Sequence, residues 1–129
     1  MKRQMIFGGL IAAAQILGIA GAVAGPWEDG MAAYNRGDYV PAMQVFRALA
    51  EQGNAKAQSV LGVMHRRGEG VARNSVRAFV WFSRAAARGD ARAKAELRDV
   101  SQTMTPEELS QAQAMAQACE ASNYRQCEY

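Results

Sequence analysis

Apolar positions in this chain recur every three to four residues, and period-two alternation is nowhere sustained, so the pattern predicts helices throughout. Six segments carry that pattern. The first covers about Trp27 to Arg36 and is ended by Gly37, with Asp38 placed to cap its successor. The second runs from about Tyr39 to Gln52 and sets Ala42, Val45, Phe46 and Leu49 on one face before Gly53-Asn54 breaks it. The third spans about Ala55 to Arg67, with Ala57, Leu61 and Met64 in phase. A loop, Gly68-Glu69-Gly70-Val71, separates it from a fourth helix capped by Asn74 or Ser75, which turns Ala78, Phe82, Ala85 and Ala86 inward. Gly89-Asp90 breaks that helix, and the fifth covers about Ala91 to Gln102. Thr105-Pro106-Glu107-Glu108 then combines a cap, a first-turn proline and early acids, starting a sixth helix that runs to about Cys119.

The helices are not independent. Gln52-Gly53-Asn54-Ala55-Lys56-Ala57 returns 36 residues later as Arg88-Gly89-Asp90-Ala91-Arg92-Ala93. At the same offset Ala42 matches Ala78, Phe46 matches Phe82 and Leu61 matches Leu97. A fixed period in the thirties indicates stacked helical hairpins, each unable to bury its apolar face alone. The small residues Ala57, Gly62, Ala78 and Ala85 allow close helix approach. Trp27, Tyr34, Phe46, Trp81 and Phe82 are expected to supply most of the buried area.

Residues 1–24 read as a different kind of segment. Lys2 and Arg3 precede an apolar stretch from Met5 to Val23, interrupted only by Gln15, and Ala22-Val23-Ala24 is a small-x-small cleavage signal. This is the layout of a secretory signal peptide, with an uncleaved inner-membrane anchor as the alternative. Cleavage would leave a periplasmic or secreted chain: a repeat domain over 25–121 and a tail over 122–129, with no membrane insertion. Cys119 and Cys127 are the only two cysteines, and in an exported chain they are expected to pair as a staple for that tail.

Charge is segregated along the mature chain. Residues 56–98 hold ten basic and three acidic residues, whereas 25–55 and 99–129 are both net acidic. The basic centre could be a solvated surface or a docking patch for an acidic partner. Export and the acidic ends argue against nucleic acid. On the fourth helix Arg77, Arg84 and Arg88 fall within about 40° of one another, with Trp81 beside them. They form a basic stripe that reads first as a solvated convex face and second as a docking surface.

No catalytic constellation is visible. His65 is the single histidine, has no nucleophile motif around it, and reads as a packing residue. Gly68-x-Gly70 is not followed by the Lys-Ser or Lys-Thr of a phosphate loop. No metal ligand set and no cofactor are expected.

The central unit reads Ala57-x3-Leu61-Gly62-x2-His65-x2-Gly68-x-Gly70-Val71-x2-Asn74-x3-Ala78-x2-Trp81-x3-Ala85-Ala86-x2-Gly89. It resembles the Sel-one-like repeat, a relative of the tetratricopeptide repeat, with His65 where that family usually has Tyr and Asn74 where it often has Asp. The unit before it lacks the Gly-x-Gly-Val loop and resembles a plain tetratricopeptide unit; the unit after it resembles a terminal cap. The resemblance implies an all-α, right-handed α/α solenoid of about three helical hairpins. It also implies a non-catalytic scaffold for protein–protein interaction, whose groove is lined by the first helix of each pair. Mapped onto this chain, that groove would hold Glu28 and Asn35, then Lys56, Ser59, Val63 and Arg66, then Arg92, Asp99 and Gln102. Its basic members would attract an acidic segment of a partner protein. The alternative is a ligand-binding or cell-wall-active enzyme of the cysteine-rich repeat type, although such relatives carry a Cys pair in every repeat.

Overall fold

The computed structural model of the chain describes residues 25–123 and Cys127. The segment read as a signal peptide, residues 1–24, lies outside the described residues, as do 124–126 and 128–129. The described residues form six helices and no strand: α1 (Pro26–Asn35), α2 (Tyr39–Glu51), α3 (Ala55–Arg67), α4 (Ser75–Ala87), α5 (Ala91–Gln102) and α6 (Pro106–Ala121). The chain is an all-helical repeat solenoid, as its periodicity and its resemblance imply.

One turn is used three times. Gly37, Gly53 and Gly89 have φ of 81°, 93° and 91°, the left-handed region open to glycine. In each case the following amide reaches back to a carbonyl of the preceding helix: Asp38 to Ala33, Asn54 to Leu49 and Asp90 to Ala85, at 2.9–3.1 Å. That residue then starts the next helix. Asn54 Oδ1 accepts from the Ala57 amide and Asp90 Oδ1 from the Ala93 amide. Asp38 departs from the expected cap, because its carboxylate accepts from Arg36 Nε at 3.1 Å and caps nothing. Asn74 caps α4, and Thr105 and Glu108 form a reciprocal capping box on α6.

Consecutive helices from α1 to α5 pack on each other, and α3 lies at the centre. From Ala57 to His65 it buries every residue except Val60. Its closest neighbour is α4. A Cβ on Gly62 would fall 2.4 Å from Phe82 Cε1, so the ring fills the space a side chain there would need. Phe46, Trp81 and Phe82 are fully buried, whereas Trp27 and Tyr34, also expected in the core, are half-buried. The last pair differs from the others: α6 crosses back onto α4, and α5 also packs on α4, so α4 links them. This brings Cys119 and Cys127 into the same apolar cluster as Ala50, Met64 and Trp81.

Candidate binding groove

The packing of α1 on α2 decides which residues α1 offers to the rest of the stack. Gly30 and Ala33 are buried, and Gly30 lies so close to Phe46 and Val45 that a Cβ would meet both at 3.0 Å. Trp27, Met31 and Tyr34, spaced by four and three, then fall on the adjacent face. Trp27 stands edge-on to Phe46 and Tyr34 edge-on to Tyr39, each with ring centroids 5.3 Å apart. These contacts fix the aromatics as a wall.

Opposite them, α3 and the start of α5 complete two adjoining recesses of about 280 and 190 Å³. Both are lined by Met31, Val60 and Arg92. Trp27, Lys56, Ser59 and Asp90 close one end, and Tyr34, Val63 and Arg67 the other. The floor is therefore apolar and aromatic, and the rim carries Lys56, Arg67 and Arg92 together with Asp90. Arg92 keeps a loose 3.9 Å contact with Glu96 and a 63% exposed side chain. Arg67 lies 3.6 Å from Glu69. Burial raises the Tyr34 phenol above its ordinary pKa, Glu69 adds to that, and Arg67 opposes it. The three groups thus tie α1 to the glycine loop.

The expected groove residues divide into two sets. Lys56, Ser59, Val63 and Arg92 line the groove, with Ser59 and Val63 buried in its floor. Glu28 and Asn35 are exposed on α1 but line neither recess, because Gly30 and Ala33 rotate the groove face by one position to Trp27, Met31 and Tyr34. Arg66 is tied to Glu96 at 3.1 Å and, with Asp99, lines a separate open recess of about 500 Å³ at the far end of α3. Gln102 is exposed outside these recesses. Sequence reasoning missed Met31, Val60 and Arg67, and assigned Trp27 and Tyr34 to the core. The Trp27-x3-Met31-x2-Tyr34 spacing was the available signal.

The basic stripe of α4 is not one surface. Arg88 is exposed and lies against Gly53, Arg77 is half-buried, and Trp81 and Arg84 are 1% and 2% exposed. The solvated convex face expected there is corrected at Arg84, which is buried with its guanidinium carbon 5.0 Å from the Trp81 ring centroid. Arg84 Nη1 donates to Cys127 Sγ at 3.3 Å, and Cys127 is disulfide-bonded to Cys119.

His65 is 1% exposed, and neither ring nitrogen has a hydrogen-bond partner. Desolvation, followed by the charges of Arg77 and Arg47, lowers its pKa to about 4. It is a neutral core residue at pH 7. Among the described residues no cluster of His, Cys, Asp or Glu could hold a metal ion, and no helix is long and apolar enough to cross a membrane.

No curated protein matches this chain. Residues 55–90, which comprise α3, the glycine loop, α4 and the turn into α5, match the Sel1 repeat family.

Proposed function

We propose that this chain is an exported, non-catalytic scaffold that holds a segment of another protein in the groove formed by α1, α3 and α5. Sel1 repeats are generally protein-interaction scaffolds. The observation that carries the reading is the groove itself: an apolar, aromatic floor at Trp27, Met31 and Val60 beneath a rim on which Lys56, Arg67 and Arg92 outnumber the one acid, Asp90. Such a surface suits an extended segment that inserts an apolar side chain and flanks it with acids. The apolar anchor would supply most of the affinity, and the rim would supply orientation and rate. The disulfide fits an oxidising compartment, and with it the export reading of residues 1–24.

Charge reversal tests the proposal once a crosslinked partner has been isolated from cells making the exported form. Lys56→Glu with Arg92→Glu should weaken binding and remove much of its salt dependence. Arg77→Glu with Arg88→Glu, on the opposite side of the hairpin, should leave binding intact. Arg84 is unsuitable for this comparison, because its reversal would bury a carboxylate. Normal binding by the folded Lys56/Arg92 variant would reject the groove.

A further inference from the structure

The C-terminal disulfide rests against a buried cation. Cys127 and Arg84 are 3% and 2% exposed, and Arg84 Nη1 donates to Cys127 Sγ at 3.3 Å. Trp81, one turn earlier on α4, holds the guanidinium over its ring. Arg84 from α4, Arg88 at its C-cap and Glu120 from α6 line one recess there and are its charged groups among the described residues. A disulfide sulfur is a weak acceptor, whereas a thiolate beside a guanidinium forms a charge-assisted pair. Arg84 therefore interacts more strongly with the reduced cysteines than with the oxidised ones.

We infer that Cys119–Cys127 is a thiol–disulfide exchange site in which Arg84 selects Cys127 as the leaving sulfur and holds it as a thiolate after reduction. The co-reactant is a dithiol. One of its thiolates attacks Cys119 Sγ, the Cys119–Cys127 bond breaks, and its electron pair departs on Cys127 Sγ beside Arg84. The second reductant thiolate then attacks the reductant sulfur of the mixed disulfide, and Cys119 leaves and takes a proton. The dithiol becomes a cyclic disulfide, and the protein gains one thiol and one thiolate. Of the two protons the dithiol brought, one stays on Cys119 and one goes to solvent. Cys119 is fully buried, so local opening sets the rate of exchange, while Arg84 sets its equilibrium.

The test equilibrates the oxidised protein with mixtures of reduced and oxidised dithiothreitol between pH 6 and 8, then counts thiols by alkylation and intact mass. Because one proton is released, the apparent exchange constant should rise about tenfold per pH unit. A flat profile, which means that both product thiols are protonated, overturns the inference without any variant. Arg84→Met should flatten the profile and lower the constant at pH 7 by about a hundredfold, or about 60 mV for this two-electron couple. Arg84→Lys should keep part of the pH dependence, and it serves as the comparison if Arg84→Met does not fold. The wild-type slope persisting in folded Arg84→Met would also overturn the assignment, since the thiolate would then owe nothing to Arg84.

Discussion

The α3–α4 hairpin carries arginines on both of its faces, and the two faces are built differently. On the groove side Arg67 stands at the rim of an open recess, its side chain 52% exposed and close to Glu69. On the opposite side Arg84 is 2% exposed, over Trp81 and against the sulfur of a cysteine 43 residues away. Both residues lie near the C-terminal end of an amphipathic helix. What separates them is that the disulfide sulfur of Cys127 packs against Arg84. The groove recess stays open, whereas on the α4 face Arg84 is buried against the disulfide.

The largest effect should come from the junction that both faces share. Phe82→Ala removes the ring packed against Gly62 and should cost about 3–5 kcal/mol, read from the urea midpoint. An unchanged midpoint would mean that the two faces do not depend on a common core.

Acid should act on that core almost as strongly. The unfolded chain protonates His65 near its ordinary pKa of 6.5, whereas the folded chain does so only near 4. The neutral ring therefore contributes fully above about pH 6.5, and the contribution is lost as pH falls from there to about 4. The loss at this site should be about 3 kcal/mol. His65→Phe should flatten that part of the stability–pH curve relative to the wild type. Parallel curves would refute the burial of a neutral imidazole.

Reduction of the disulfide separates the faces directly. The bridge spans eight positions and should contribute about 2–3 kcal/mol. The chain has two tryptophans, one on each side. In Trp27→Phe, which leaves Trp81 as the reporter, reduction should shift the emission. In Trp81→Phe, which leaves Trp27 in the groove, it should not. Equal shifts would mean that the tail supports the groove as well.

The smallest effect on stability, and the largest on binding, should come from the groove floor. Val60→Ser removes a half-exposed side chain and should change stability by less than about 1 kcal/mol. It should weaken partner binding at least about tenfold if Val60 contacts the anchor residue. A loss of stability without a loss of binding would place Val60 in the core.

The fold was readable because its signals are local. The Gly-Asn and Gly-Asp turns, the Asn74 cap and the Thr105-Pro106 start mark helix ends within a few residues, and α3 and α5 begin and end where those signals place them. The groove was readable only in part. Lys56, Ser59, Val63 and Arg92 follow from the repeat phase, but α1 is turned by one position because Gly30 and Ala33 let it sink onto Phe46. That depends on packing depth, which a periodic pattern does not contain. The burial of Arg84 was not readable at all. A helical wheel places it on an outer stripe, whereas in the fold it is buried over Trp81 and against the Cys119–Cys127 disulfide.

The central claim is that the open face, not the covered one, binds a partner. A photo-crosslinking residue placed at Val60 in the groove, or at Ala87 beside Arg84, tests it in cells making the full-length chain. Both positions line recesses on the folded protein, and Ala87 is the more exposed of the two, so silence at 87 is not explained by burial. The account predicts a discrete adduct from position 60, diminished by Lys56→Glu with Arg92→Glu, and none from position 87. An adduct from position 87 alone would contradict it and assign binding to the α4 face.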